Sequence, residues 1–366
     1  MKKLSRKKIK LFEPISGTKE KLAIQKVLTS GFWASGAGKG QVEVFEKKFR
    51  DYINAKSCVA VNSGTAALHL ALSLADAKGK EVILPSLSFV STAHCAVYND
   101  AKPVFVDVDP TTLCIDPESV AEKISNKTKV ILPVHFSGMS ADLHKLSKLA
   151  KDSDSILIED AAHACGAKFM NRLIGSHGDL VCFSFHPVKN LGMPTGGLVA
   201  INHKDHKEMR KLLEARRWCG ITDRDEAFYD IKEIGWNYYM NEFSAAIGLA
   251  QLEKLEKLNE IRKGIVHRYY KEFNLENKMA FNKDCSYHFY WILVKNRTQF
   301  RKKMSDMGIE TGIHYKPIHT MSMFKNKTKL PITEEIGDRI VTLPTHPNLS
   351  DNDIEKIISA VNDFAD

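Results

Sequence analysis

The sequence predicts an α/β protein, with a mainly parallel sheet covered by helices on both faces and a smaller α+β C-terminal domain. Three observations predict it. Short apolar runs alternate with segments of helical period from Cys58 to Phe185, the pattern of strands joined by crossover helices. Two of those runs, Ile156-Leu157-Ile158 and Val181-Cys182-Phe183-Ser184-Phe185, read as buried strands. Polar residues gather at their C-terminal tips, where open α/β sheets bind ligands.

The expected elements follow in order. Residues 1–16 are basic at the start (Lys2, Lys3, Arg6, Lys7, Lys8, Lys10) and read as a disordered tail. A large domain is expected over 17–260 and the smaller one over 261–366. Leu22, Lys26 and Val27-Leu28 carry a helical period from Lys19 to Ser30, which Gly31-Phe32-Trp33 ends. The glycine-rich stretch before Gln41 is not a Walker loop, because it lacks the GK[ST] ending and a preceding strand. Residues 58–62 form a short strand, and Ser63-Gly64-Thr65 opens an Ala/Leu-rich helix that stops near Gly79. Strands are expected at 82–85, 103–108, 130–136 and 198–201. A single long helix after Glu242 would present Ala245, Ala246, Leu249, Leu252, Leu255 and Leu258 on one face. The C-terminal part shows a strand around 287–294, a helix over about 297–307, and a last helix that Ser350 can cap, with Ile354, Ile357, Ile358 and Val361 recurring on one side.

The two strand tips carry the chemistry. One ends in Glu159-Asp160 with His163 close behind; the other offers Ser184, His186 and, past Pro187, Lys189. An acid, an imidazole, a hydroxyl and an amine thus converge. Pyridoxal phosphate (PLP) needs such a set: a lysine for the Schiff base, an aspartate to keep the pyridinium nitrogen protonated, a hydroxyl for the phosphate and a ring to stack on the pyridine. The strand, turn and helix start around Ser63-Gly64-Thr65 offer a phosphate site, since free N–H groups and the positive dipole end meet where glycine permits close approach; the alternative is that Ser63 or Thr65 merely caps the helix.

The segments EDAAHACGA (159–167), SFHPVKN (184–190) and VNSGTAALHLAL (61–72) resemble the DegT/DnrJ/EryC1/StrS family of sugar aminotransferases, a branch of the fold-type-I PLP-dependent transferases with their three-layer fold. The resemblance extends over nearly the whole chain, including GFWASGAGKGQVEVF, whose loop leads into a helix near Gln41, GWNYYMNE (235–242), and GIETGIHYKPIH (308–319) near the substrate. It implies Lys189 as the Schiff-base lysine and Asp160 as the partner of the ring nitrogen. It also implies Phe89 as the ring stacked on PLP, His163 against the cofactor, and Gly64, Thr65 and Ser184 at the phosphate. Asn237 would reach that phosphate from the neighbouring subunit of a homodimer with shared active sites.

The implied activity moves an amino group from an L-amino acid, glutamate foremost, to a keto-deoxy sugar on a nucleotide. Relatives with histidine in place of the lysine are dehydratases; this chain keeps Lys189. It departs from the common pattern at Met193-Pro194-Thr195, where many relatives have an acid, and at Tyr239, where arginine is usual. Amination at C3 or at C4 of the sugar stays open. A cyclitol or aminobenzoate precursor is the alternative substrate class. An inactive regulator or nucleic-acid binder is the remote one, and salt-sensitive retention on DNA would reveal it.

Composition narrows the classes further. Hydrophobic residues make up 43% and charged residues 27% of 366, ordinary for a globular chain. No apolar run approaches the roughly 18 residues of a membrane span, and the N-terminus lacks the apolar core of a secretory signal, so cytoplasm is expected. Seven scattered cysteines without a CxxC pair argue against a disulfide framework or a metal site. A net charge of +9 comes without a nucleic-acid-reading module, so no nucleic-acid partner is expected.

Overall fold

In a computed structural model, residues 8–225, 227–325 and 327–365 are described. Helix α1 (Thr18–Ser30) and helix α2 (Gln41–Ile53) precede strand β1 (Ser57–Val61) and helix α3 (Gly64–Ser73). The chain then alternates through β2 (Glu81–Pro85), α4 (Ser91–Tyr98), β3 (Lys102–Val106), α5 (Pro117–Lys123), β4 (Thr128–Ile131), α6 (Leu143–Asp152) and β5 (Ile156–Asp160). A small hairpin of β6 (Lys168–Phe169) and β7 (Arg172–Leu173) leads to β8 (Leu180–Ser184), β9 (Gly197–Ile201) and α7 (His206–Arg216).

These strands make a seven-stranded sheet in the order β1-β9-β8-β5-β4-β2-β3. All neighbours are parallel except around β9, which runs antiparallel to both β1 and β8. Two antiparallel steps restore direction, so β1, β5 and β8 all end at the same rim. β9 starts there, with Gly197 opposite both Val61 and Ser184. Strands β1 and β9 are buried throughout, as expected where helices cover both faces.

The exposed hairpin β10 (Ile221–Asp225) and β11 (Phe228–Ile231) precedes α8 (Glu242–Leu252) and α9 (Leu255–Glu272). A second antiparallel pair, β12 (Tyr290–Leu293) and β13 (Ile340–Leu343), packs with α10 (Arg297–Asp306), α11 (Pro331–Arg339) and α12 (Asp351–Phe364). Ser350 caps α12 by accepting from Asp353 N–H.

Three expectations need correction. Residues 1–7 lie outside the described residues, but from Lys8 the expected loose tail is a strap. Ile9 is buried and bonds the backbone at Gly308 and Glu310 (both 2.9 Å), while Gln251 donates to the Ile15 carbonyl. Backbone bonds and the buried Ile9 together anchor the basic stretch. The expected long helix is broken at Glu253-Lys254, where Lys254 turns inward to pair with buried Glu20 at 2.5 Å. The strand expected over 130–136 stops at Ile131, because Pro133 has no N–H to continue the ladder.

Candidate active site

At the rim where β1, β5 and β8 end lies a cavity of about 360 Å³, within the range of small-ligand sites. Its wall includes Ser63, Gly64, Thr65, Phe89, Asp160 and His163, and also Ser184, Lys189, Thr195, His314 and Tyr315. Seven of the eight residues singled out in the sequence therefore meet in one place. The eighth, Asn237, is exposed elsewhere, bridged to Trp218 and bonded through its carbonyl to Asn62 Nδ2 at 3.2 Å.

Each side chain is placed by the element beneath it. Asp160 ends β5 and is buried; its Oδ2 accepts from Thr92 Oγ1 at 2.8 Å and its Oδ1 from Ala162 N–H at 3.1 Å. Burial raises its pKa, opposed by those donors and by the charge of Lys189. Among the described residues it makes no ion pair. A desolvated carboxylate in that position is a receptor for a cation from the cavity.

Lys189 is partly exposed, and the cavity is what exposes it. Burial of its amine pulls the pKa down to about 8 against the pull of Asp160, so about a tenth of it is neutral at pH 7. His163, buried, has Nδ1 near Ser137 N–H (3.4 Å) and Nε2 facing the Tyr315 hydroxyl at 3.1 Å. Its pKa is held well below the ordinary value, first by burial and then by Lys189 and His314, so the ring is neutral.

The turn that opens α3 is built from close approaches. Ser63 caps α3 by accepting from Ala66 N–H at 3.1 Å, which leaves the N–H groups of Gly64 and Thr65 without intrahelical partners. A Cβ on Gly64 would sit 2.6 Å from the Ser184 Cβ, and one on Gly197 would sit 2.2 Å from the Ser63 carbonyl. These two glycines let the turn, β8 and β9 close up around one small volume. Phe89 is 56% exposed at the mouth, 6.1 Å from the Tyr315 ring. Thr195, one of the departures noted in the sequence, donates to the Asn62 carbonyl and ties the lysine loop to the end of β1.

The residues fit PLP: an amine of lowered basicity, a buried carboxylate without a cation, and a helix N-terminus closed around a glycine. Sequence reasoning missed Thr92, His288 and His314. Thr92 carries no local signal, since its partner Asp160 is 68 positions away. His314 sits in the stretch already tied to substrate, with Nδ1 2.7 Å from Thr342 Oγ1 and burial lowering its pKa to about 4.

Comparison with known proteins decides the family. The model of the DegT/DnrJ/EryC1/StrS aminotransferase family matches residues 14–362. The chain belongs to that family. Like other members, it is a PLP-dependent sugar aminotransferase. GDP-perosamine synthase of Escherichia coli O157:H7 is 33% identical over 98% of this chain and 99% of its own. The PLP form of Spr1654 from Streptococcus pneumoniae superposes with a TM-score of 0.92 at 27% identity, covering 98% of each chain. Helicobacter pylori PseC, an aminotransferase of pseudoaminic acid biosynthesis, gives 0.91 at 26% identity over 98% of this chain and 99% of that one. No described helix of this family member is long and apolar enough to cross a membrane.

Proposed function

We propose that the protein transfers the amino group of an L-amino acid, glutamate foremost, to the ketone of a deoxy sugar carried on a nucleotide. The observation that supports it is the single cavity holding Lys189, Asp160 and the Ser63–Thr65 turn. The likeness to GDP-perosamine synthase supports the nucleotide-linked acceptor.

When bound, PLP supplies a conjugated ring that takes up the electron pair freed at the donor's α-carbon. Lys189 Nζ would hold the cofactor through its aldehyde carbon and, as a free amine, would serve as the base and acid that moves a proton to and from the donor's α-carbon. Its lowered pKa suits both tasks, because the free base is accessible near neutral pH. Asp160 would keep the ring nitrogen protonated, with Thr92 holding the carboxylate in place. Gly64, Thr65 and Ser184 would hold the phosphate, and Phe89, His163 and Tyr315, which line the same cavity, would border the ring.

Asn237, exposed in the single chain, is assigned to the phosphate of a partner subunit's site in a homodimer. The exposed apolar side chains Phe228, Tyr229, Ile231 and Ile234 on and after the β10–β11 hairpin support such pairing, since a lone soluble chain rarely leaves that many together. The visible spectrum tests the reading. Purified protein should carry a yellow band that bleaches with glutamate and returns on adding the correct keto-sugar nucleotide from a panel. Protein that stays colourless with PLP, or yellow with every amino donor, defeats it.

A further inference from the structure

Among the described residues, the hydrogen-bond partner of the Lys189 amine is not Asp160 but His288, whose Nε2 lies 3.4 Å from Nζ. His288 belongs to the stretch just before β12, 99 positions away, and it is fixed on all sides. Its main-chain N–H donates to the Ser137 carbonyl at 2.9 Å, and its carbonyl accepts from Thr345 Oγ1 at 3.4 Å. Its ring is stacked on Phe12 of the N-terminal strap, with centroids 5.1 Å apart and planes at 17°. The His163 ring is 4.7 Å away at 31°, and Phe289 adds a third contact at 5.2 Å. An imidazole clamped in this way points Nε2 in one direction.

The same surroundings say what this imidazole does not do. Its Nδ1 is buried with no hydrogen-bond partner among the described residues. The groups facing the pair are Asp160 from the end of β5, His163 from the loop behind it and His186 beside the lysine. Arg262 of α9, and His314 and Tyr315 after α10, complete the set. Burial first, then the positive charges of Lys189 and Arg262, keep His288 far from becoming cationic. The ring is therefore neutral, and in the tautomer with its proton on Nδ1 it offers Nε2 as an acceptor.

A neutral acceptor solves a problem that the lysine poses. A free lysine has four carbons of flexible stem, and in this cavity the strongest attraction for its ammonium is the Asp160 carboxylate. An ion pair there would raise the amine's basicity and occupy the carboxylate that the ring nitrogen needs. We propose that His288 is a positioning residue for Lys189: its Nε2 accepts from the free amine, holding Nζ at the cavity wall and away from Asp160, while Phe12 and His163 hold the imidazole. This rests on reading Lys189 as the cofactor lysine.

The test uses apo protein and PLP, following the absorbance change as amine and aldehyde condense with loss of one water. Only the free base reacts, so the capture rate of wild type rises through a midpoint near the lysine pKa of about 8. In His288→Asn the amide ends at the Nδ1 position and cannot reach Nζ; the released ammonium swings to pair with Asp160, and the midpoint rises by about one pH unit. His288→Gln places an amide oxygen near the Nε2 position and keeps the wild-type midpoint. Phe12→Leu leaves both polar partners but frees the ring, and moves the midpoint the same way by less. A midpoint unchanged in His288→Asn, or shifted equally in Asn and Gln, overturns the proposal, and an unmoved Phe12→Leu overturns the clamp. Wild type that captures no PLP would instead overturn the cofactor site.

Discussion

At the scale of single residues, the site separates two carboxylate–amine roles by environment. Asp160 and Lys189 share a cavity without pairing, and each is left displaced from its ordinary pKa by burial. Lys189→Ala should abolish covalent capture of PLP, seen as loss of the yellow band in folded protein. Asp160→Asn should still capture it but slow the glutamate half-reaction by about a hundredfold or more in stopped-flow absorbance, because an amide cannot keep the ring nitrogen protonated. Thr92→Val gives a prediction with a sign. The Thr92 hydroxyl lowers the Asp160 pKa, so its loss raises it. Activity needs the carboxylate and fails as pH drops through its pKa; the acid limb of the half-reaction should therefore move to higher pH. An unmoved limb would mean that Thr92 is only packing. Asp160 and Lys189 were legible because each follows a short apolar run, and chemistry at strand ends follows from topology. Thr92 and His288 were not, since their roles come from contacts across 68 and 99 positions that no local pattern encodes.

At the scale of elements, the close fit of α3 against β8 and β9 shapes the turn proposed to cradle the phosphate. Gly64→Ala would drive a methyl to within 2.6 Å of the Ser184 Cβ, so the turn must shift outward and its N–H groups with it. PLP affinity should fall at least about tenfold in equilibrium titration, while circular dichroism stays native. Unchanged affinity would place the phosphate elsewhere. The strand–turn–helix at 57–73 could be read from sequence because strand, Ser cap and Ala/Leu helix are each local signals that agree. The break between α8 and α9 could not. The apolar period runs on through Leu249, Leu252, Leu255 and Leu258, while the inward turn of Lys254 answers a glutamate 234 positions earlier. Long-range electrostatics overrode a correct local pattern.

At the scale of the whole molecule, the N-terminal strap and a C-terminal-domain loop both reach the centre. The strap that the charge pattern suggested was loose brings Phe12 onto His288, and the segment at 308–319 brings His314 and Tyr315 to the cavity from beyond the large sheet. The one expected residue absent from that cavity, Asn237, makes a test of assembly. Suppose Lys189→Ala and Asn237→Ala are prepared separately, each with little activity at limiting PLP. If each site takes its lysine from one chain and its asparagine from the other, a mixed dimer has one site lacking both and one site lacking neither. Random exchange at equal concentration makes half of the dimers mixed, so about a quarter of wild-type activity should return after unfolding and refolding the mixture together. If Asn237 served its own chain, every site in every dimer would lack one group and nothing would return. The size of the recovery thus reads directly whether the exposed position of Asn237 reflects a site completed only by a second copy.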